Sequence, residues 1–118
     1  SEQRRNAYVK KGIGFHYFFT RKVMLTASAQ AYVYFPGGFG TLDEFYEVIT
    51  LIQTKNMTPV PVICMGKAFW GPLDEWTKSM LVHEFQTIAP DDVDLYTVVD
   101  TAQEAFDIIK ESKERKYF

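Results

Sequence analysis

Three short apolar runs, in which polar residues do not alternate with apolar ones, constrain the fold of this chain most. They lie at residues 31–35, 60–65 and 96–99. Runs of this kind are typical of strands covered on both faces, as in parallel sheets. Segments with apolar residues at helical spacing separate the three runs. The alternation of strands and helices predicts an α/β fold with crossover helices between parallel strands.

Four helices are expected around these strands. The periodicity predicts helices over residues 16–28, 41–54 and 72–84, and a final helix capped by Asp100 or Thr101. That final helix should bury one apolar face, made of Ala102, Ala105, Phe106 and Ile109. The predicted architecture is a Rossmann-like, three-layer open parallel sheet in a single domain over residues 1–118. Because three strands leave two open edges, we expect further strands from an N-terminal half outside this chain, from a partner chain, or from residues 1–14.

Composition excludes several classes of protein. Hydrophobic residues make up 47% of the chain, which indicates a packed core. The net charge of −2 argues against a protein that binds nucleic acid, which normally carries a basic stripe. No apolar stretch approaches the length of a membrane span. The single cysteine, Cys64, lies in an apolar run and is expected to be a buried thiol, which fits a cytoplasmic location.

A glycine-rich turn, PGGFGT at residues 36–41, joins the first strand to the next helix. Glycines allow close backbone approach and positive φ, and a helix N-terminus offers unpaired N–H groups with partial positive charge. In open α/β sheets, ligands bind at this carboxyl edge of the strands. A phosphate site is therefore predicted, formed by Gly37, Gly38, Gly40 and Thr41. Spacing alone leaves open a tight turn that uses glycine only for its shape.

Two familiar phosphate loops do not match this turn. A P-loop requires a lysine after its last glycine, whereas Thr41 follows Gly40. The dinucleotide fingerprint requires glycine or alanine where Asp43 stands.

Two charged residues have more than one interpretation from spacing alone. Thr41 to Glu44 spells T-x-x-E, which predicts a capping box, but Glu44 could instead face a ligand held at the turn. Arg21 could extend along the surface or clamp an anionic ligand. His16 and His83 lie far apart without metal-ligand spacing, so no metal site is expected.

Two segments together resemble the LOG family of cytokinin riboside 5′-monophosphate phosphoribohydrolases, many of which were formerly labelled lysine decarboxylases. These segments are TRKVML at residues 20–25 and PGGFGTLDE at residues 36–44. The arginine of the first stands 23 residues before Glu44, as in the family pattern. The similarity extends through residues 50–73 and to the C-terminus. The N-terminal strand and GGG-type motif with which family members begin do not occur in this chain.

The resemblance implies hydrolysis of the N-glycosidic bond of a nucleoside 5′-monophosphate, a cytokinin riboside monophosphate or AMP, to free base and ribose 5-phosphate. Arg21 and Glu44 match the family's catalytic residues, and Gly37, Gly38, Gly40 and Thr41 match its phosphate-contacting turn. The resemblance implies a dimer and no cofactor. Decarboxylation of lysine would need pyridoxal phosphate on a Schiff-base lysine, and no residue pattern marks one.

Two alternatives remain from the sequence. One is a non-catalytic carrier of a nucleotide or cofactor, since molybdenum-cofactor carrier proteins have a similar fold and glycine turn. The other is an inactive, truncated family member that persists as an oligomerising domain. The pairing of Arg21 with Glu44 favours the enzyme, whereas the absence of the family's first half favours a binding-only or degraded role.

Overall fold

The structure, a computed structural model, describes residues 30–116. The predicted helix over residues 16–28, with Arg21, lies outside the described residues. The described elements, in chain order, are strand β1 (Tyr32–Tyr34), helix α1 (Phe39–Gln53), strand β2 (Val62–Met65), helix α2 (Lys67–Trp76), a π-helical segment (Thr77–Glu84), a 3₁₀ helix (Pro90–Leu95), strand β3 (Thr97–Val99) and helix α3 (Ala102–Lys116).

The three strands form a parallel sheet in the order β1-β2-β3. Tyr32 pairs with Val62, and Ile63 pairs with Thr97. Pro61, which has no N–H to donate, lies just before β2, and its carbonyl accepts a hydrogen bond of 2.9 Å from the Tyr32 N–H. The predicted parallel sheet is therefore confirmed, with each strand one or two residues shorter than its apolar run.

Helices cover both faces of the sheet. Val62 and Cys64 of β2 pack in the cluster under α1 and α2, whereas Ile63 packs with Val99 and with Ala105 of α3. Successive strand residues point to opposite faces, so a central strand buried on both sides has no polar position. The three-layer α/β architecture predicted from the sequence is confirmed.

An aromatic cluster surrounds Phe45 on the α1–α2 face of the sheet. The Phe45 ring lies edge-on to Tyr34, with centroids 5.8 Å apart, and edge-on to Tyr96 at 5.4 Å. It also lies at 5.1 Å from Trp70, which is tilted against it. Edge-to-face pairs of this kind contribute about 0.5–1.5 kcal/mol each beyond area burial. The cluster therefore fixes α1 and α2 to the sheet.

Helix α2 begins five residues earlier than the sequence predicts. Pro72 suggested the helix start, but the helix begins at Lys67, directly after Gly66. Gly66 has φ of +106°, a conformation that L-residues rarely adopt, and its N–H donates to the Val99 carbonyl at 2.7 Å. The helix continues with π geometry, in which the Phe85 N–H donates to the Met80 carbonyl at 2.8 Å.

Helix α3 begins with the predicted cap. The Thr101 hydroxyl accepts the Glu104 N–H at 3.1 Å, and the Glu104 carboxylate accepts the Thr101 N–H at 3.0 Å, which completes a capping box. The predicted buried face is only partly right. Ala105 and Ile109 pack toward the sheet, but Ala102 is exposed and Phe106 is 56% exposed.

Ile108 takes the place expected for Phe106 and packs against the cluster of Ile63, Val99 and Ala105. None of the helices in residues 30–116 is long and apolar enough to cross a membrane.

Candidate anion site at the glycine turn

The glycine turn leads from the carboxyl end of β1 into α1. Helix α1 begins at Phe39 with Gly38 as its N-cap, and no side chain caps it. Thr41 is therefore the third residue of the helix and not its cap. The capping box predicted for Thr41 and Glu44 is wrong, because the N-cap is Gly38, three residues before the position that the T-x-x-E pattern suggests.

The first N–H groups of α1 are open. The first helical hydrogen bond is donated by the Leu42 N–H to the Gly38 carbonyl, at 3.2 Å. Within residues 30–116, the N–H groups of Gly38, Phe39, Gly40 and Thr41 have no hydrogen-bond acceptor. Orphan donors at a helix start carry a partial positive charge and attract anions.

The other two helices that start at this edge of the sheet are already capped by acidic side chains. The Asp100 carboxylate accepts the Lys67 N–H at the start of α2, at 2.7 Å. At the start of α3, the Glu104 carboxylate accepts hydrogen bonds from the backbone N–H of Thr101 at 3.0 Å and from the backbone N–H of Asp100 at 3.2 Å. Those bonds lower the pKa of the Glu104 carboxyl below its ordinary value, the Asp100 backbone contributing most. Among the described helices that follow strands, α1 is the one whose start is left open to an external anion.

The glycines of the turn provide space and not unusual backbone angles. Within the described residues, only Gly66 among the glycines has positive φ, so the glycines of residues 36–41 do not use the positive φ that they allow. A Cβ on Gly37 would overlap the side chain of Thr41. A Cβ on Gly40 would meet nothing within 4 Å and would project into open space. The lack of a side chain at Gly37 therefore allows the Thr41 side chain to pack against it. The lack of one at Gly40 leaves the space in front of the backbone amides open.

Glu44 is exposed on the same helix. It lies three residues after Thr41 and four after Gly40, so all three share one face of α1. Helical Cα–Cβ bonds tilt toward the N-terminus, so the Glu44 side chain starts in the direction of the turn. The structure thus brings together four of the predicted site residues, Gly38, Gly40, Thr41 and Glu44, on the first two turns of α1.

Tyr34 holds this segment in place and was not singled out by the sequence analysis. Its hydroxyl donates to the Glu44 backbone carbonyl at 3.3 Å, and its ring is buried. Burial raises the pKa of the Tyr34 hydroxyl above its ordinary value, and the nearby Glu44 carboxylate raises it further. The hydroxyl therefore remains a donor. The sequence signal that could have identified Tyr34 is its position as the last residue of the strand before the turn.

Other reactive groups of the described residues do not form a site. They contain no group of three or more histidine, cysteine or acidic residues that could hold a metal ion. Cys64 is fully buried, and burial, with the nearby Asp74 charge, raises the pKa of its thiol to about 12. His83 is exposed. The lysines whose side chains are described are all exposed: Lys55, Lys67, Lys78, Lys110 and Lys113.

The fold and the open helix start define an α/β protein of the open, parallel, Rossmann-like class. The model of a family described as "Possible lysine decarboxylase" matches residues 1–109, and the chain belongs to this family. The match includes both segments of the LOG resemblance, at residues 20–25 and 36–44. No curated protein matches the chain in sequence.

Proposed function

We propose that this protein hydrolyses the N-glycosidic bond of a nucleoside 5′-monophosphate, a cytokinin riboside monophosphate or AMP, to free base and ribose 5-phosphate. Membership of the family supports a phosphoribohydrolase-type activity in coarse terms. The observation that carries the proposal is the uncapped start of α1 with the exposed Glu44 on the same helix face.

The 5′-phosphate would bind to the open N–H groups of Gly38 to Thr41 and to the Thr41 hydroxyl. This contact fixes the nucleotide by its phosphate and places the ribose toward the second turn of α1. Gly37 supports the site by leaving room for the Thr41 side chain. The turn thereby orients the bond that breaks without taking part in the chemistry.

Glu44 would act on the sugar. Breaking the bond between ribose and base develops positive charge on the sugar, as in glycoside hydrolysis. A carboxylate stabilises that charge or accepts a proton from the attacking water. Water supplies the hydroxyl on the anomeric carbon, and its proton replaces the ribosyl group on the base. Arg21, outside the described residues, would orient the nucleotide and support the departing base.

The description of the family names a different chemistry. Lysine decarboxylation needs pyridoxal phosphate on a Schiff-base lysine, which is normally held in an enclosed pocket. Lys55, Lys67, Lys78, Lys110 and Lys113 all lie on the surface of the described part. The exposure of these lysines favours the hydrolase over the decarboxylase.

The test is release of free base. The protein is incubated with AMP and with isopentenyladenosine monophosphate, and free base is measured by chromatography. Glu44→Gln is expected to lower turnover by at least about 100-fold, because it removes the carboxylate charge. Its affinity for ribose 5-phosphate, measured by calorimetry, should stay close to that of the parent.

Glu75→Gln is the matched control, since Glu75 is an exposed carboxylate on α2, away from the turn. It should retain full turnover. Equal turnover in Glu44→Gln and the parent would remove Glu44 from the mechanism. Nucleotide binding by the parent without base release would favour the carrier alternative, and neither binding nor release would favour the inactive member.

A further inference from the structure

A cavity of about 210 Å³ lies between α1, the helix that α2 forms with its π-helical continuation, and β3. Within residues 30–116, neither Glu44 nor any residue of the glycine turn lines it. The proposed function therefore leaves this cavity unused, and the chemistry of its own wall decides what it holds.

The wall of the cavity is mainly hydrocarbon. Phe45 of α1 and Trp70 of α2 line it, and both belong to the core, with 2% and 1% of their surface exposed. Aliphatic side chains add to the wall from α1, from the π-helical segment and from β3: Ile49, Leu81 and Val98. An apolar occupant in contact with this wall is removed from water, which is favourable in proportion to the area covered.

The inner polar groups of the wall are already engaged or inaccessible. The Tyr96 hydroxyl donates to Asp74 Oδ1 at 2.7 Å, and the buried Thr77 hydroxyl donates to the Leu73 carbonyl at 2.8 Å. The Trp70 indole Nε1 has almost no accessible surface, so it offers no donor to an occupant. A polar occupant would give up its hydrogen bonds to water without replacing them, which is unfavourable.

The other polar side chains of the wall are also bonded within the protein or exposed. The Gln53 amide and the Ala89 N–H both donate to Asp92 Oδ2, each at 2.9 Å. Tyr46 and Thr50 complete the polar part of the wall, and both are exposed to solvent. A water molecule needs two to four polar partners to stay in a cavity. The wall therefore favours a hydrocarbon over ordered water.

Charge in the wall argues for a neutral occupant. The two carboxylates that line the cavity, Asp74 and Asp92, would repel an anion. Asp74 is already paired with Lys78, whose ammonium lies 2.9 Å away. A cation would have to leave water for a largely apolar wall, which is costly unless it gains a close partner of opposite charge.

The size of the cavity indicates a small ring. An apolar cavity of about 150 Å³ stays dry and holds benzene, so about 210 Å³ leaves room for a ring with one short substituent. Thr77 and Leu81 line the cavity from the π-helical segment, a rare geometry that often occurs at functional sites.

We propose that this cavity binds a small, neutral hydrocarbon group, of the size of a benzene ring with one short substituent, and that it does so without hydrogen bonds. The volume of the cavity, its hydrocarbon wall and the engagement of its polar groups within the protein carry the proposal. The site does not depend on the nucleotide chemistry proposed for the turn.

The experiment compares two pairs of probes in which each pair shares a shape. Phenol has a hydroxyl where toluene has a methyl group, and benzylammonium has an ammonium where ethylbenzene has a methyl group. Binding is followed by the methyl signals of Ile49 and Leu81 in ¹H–¹³C NMR, with Ile63 on the other face of the sheet as an internal reference. Toluene should shift the Ile49 and Leu81 signals and leave the Ile63 signal unchanged.

The order of affinities tests the chemistry of the site. Toluene should bind about tenfold or more tightly than phenol, because the phenol hydroxyl would be buried without a partner. Ethylbenzene should bind at least about tenfold more tightly than benzylammonium, because the ammonium would lose its water. Phenol binding as tightly as toluene would overturn the proposal. Benzylammonium binding more tightly than ethylbenzene would indicate an amine site and would overturn it as well.

Variants of the wall test the place of binding. Leu81→Trp puts a larger side chain into the wall and should weaken toluene binding at least about tenfold. Met80→Trp is the matched control, since Met80 is the half-buried neighbour that does not line the cavity, and it should bind toluene as the parent does. Leu81→Ala enlarges the cavity without overpacking the core and should raise the affinity for naphthalene relative to toluene.

Three further results would overturn the proposal. The first is the absence of any toluene-induced shift at Ile49 and Leu81, and the second is unchanged toluene binding in Leu81→Trp. The third is a toluene affinity that falls as the protein concentration rises, because a side chain of a second copy would then fill the cavity.

Discussion

The Asp100 carboxylate accepts a hydrogen bond of 2.7 Å from the backbone N–H of Lys67, so the loop after β3 caps the helix that follows β2. The adjacent Gly66 N–H donates to the Val99 carbonyl at 2.7 Å, which joins the same two loops a second time. A negative charge of the protein itself therefore occupies the start of α2. An external anion that approaches this edge of the sheet meets its open donors at α1.

Loss of this cap should destabilise the fold. Asp100→Ala leaves the Lys67 N–H without its acceptor and removes the charge at the start of α2. We expect the free energy of unfolding, measured by urea titration, to fall by about 1 kcal/mol, whereas Asp100→Asn should lose less because asparagine also caps helices. An unchanged urea midpoint in Asp100→Ala would show that the bond is not stabilising.

The cap of α3 should make stability depend on pH. Hydrogen bonds from the Asp100 and Thr101 backbone and the Thr101 hydroxyl hold the pKa of Glu104 below its ordinary value of 4.5. For a carboxyl with a lowered folded-state pKa, the stabilisation is complete above the unfolded-state pKa and is lost as pH falls through the folded-state value. Urea titrations between about pH 6 and pH 3 should therefore show this loss in the parent and a smaller one in Glu104→Gln.

Glu111→Gln is the control for that series, since it removes an exposed carboxylate from α3 and leaves the cap intact. It should retain the acid-dependent loss of the parent. The same slope in Glu104→Gln and the parent would contradict the assignment to Glu104.

The fold was largely predictable because each buried strand can be recognised from its own short apolar segment, without knowledge of its neighbours. In residues 60–65 no polar side chain interrupts the apolar run, and β2 is buried on both faces with Val62, Ile63 and Cys64 in two separate clusters. The start of α2 was not predictable in this way. Its cap, Asp100, lies 33 residues from Lys67, and a local pattern does not reveal an acceptor supplied by a distant loop.

The candidate site was predictable to a similar degree. The glycine turn and its place before a helix follow from residues 36–41 alone. The T-x-x-E pattern at Thr41 misled the placement of the helix start, because glycine can serve as N-cap without a side chain. Tyr34 was missed because its role depends on a bond to the Glu44 backbone, which forms only when strand and helix pack together.

Phe45 should carry much of the core's stability. Its ring is 2% exposed and contacts Tyr34, Trp70 and Tyr96, so Phe45→Ala leaves a cavity and should cost about 3–5 kcal/mol in free energy of unfolding. Phe39→Ala, on the same helix at a position 85% exposed, should change stability by less than about 0.5 kcal/mol. Similar losses in both variants, measured by thermal or urea unfolding, would contradict the assignment of the core.

Two glycines of the turn should respond oppositely to alanine. A Cβ on Gly37 overlaps the Thr41 side chain, so Gly37→Ala should lower the free energy of unfolding by about 1–3 kcal/mol. A Cβ on Gly40 meets nothing within 4 Å, so Gly40→Ala should fold at least as stably as the parent and gain up to about 1 kcal/mol. Its methyl group, however, stands where a phosphate would approach the open amides, and calorimetric affinity for ribose 5-phosphate should fall about tenfold or more. A stable Gly40→Ala that binds ribose 5-phosphate as tightly as the parent would mean that no anion needs the space beside Gly40.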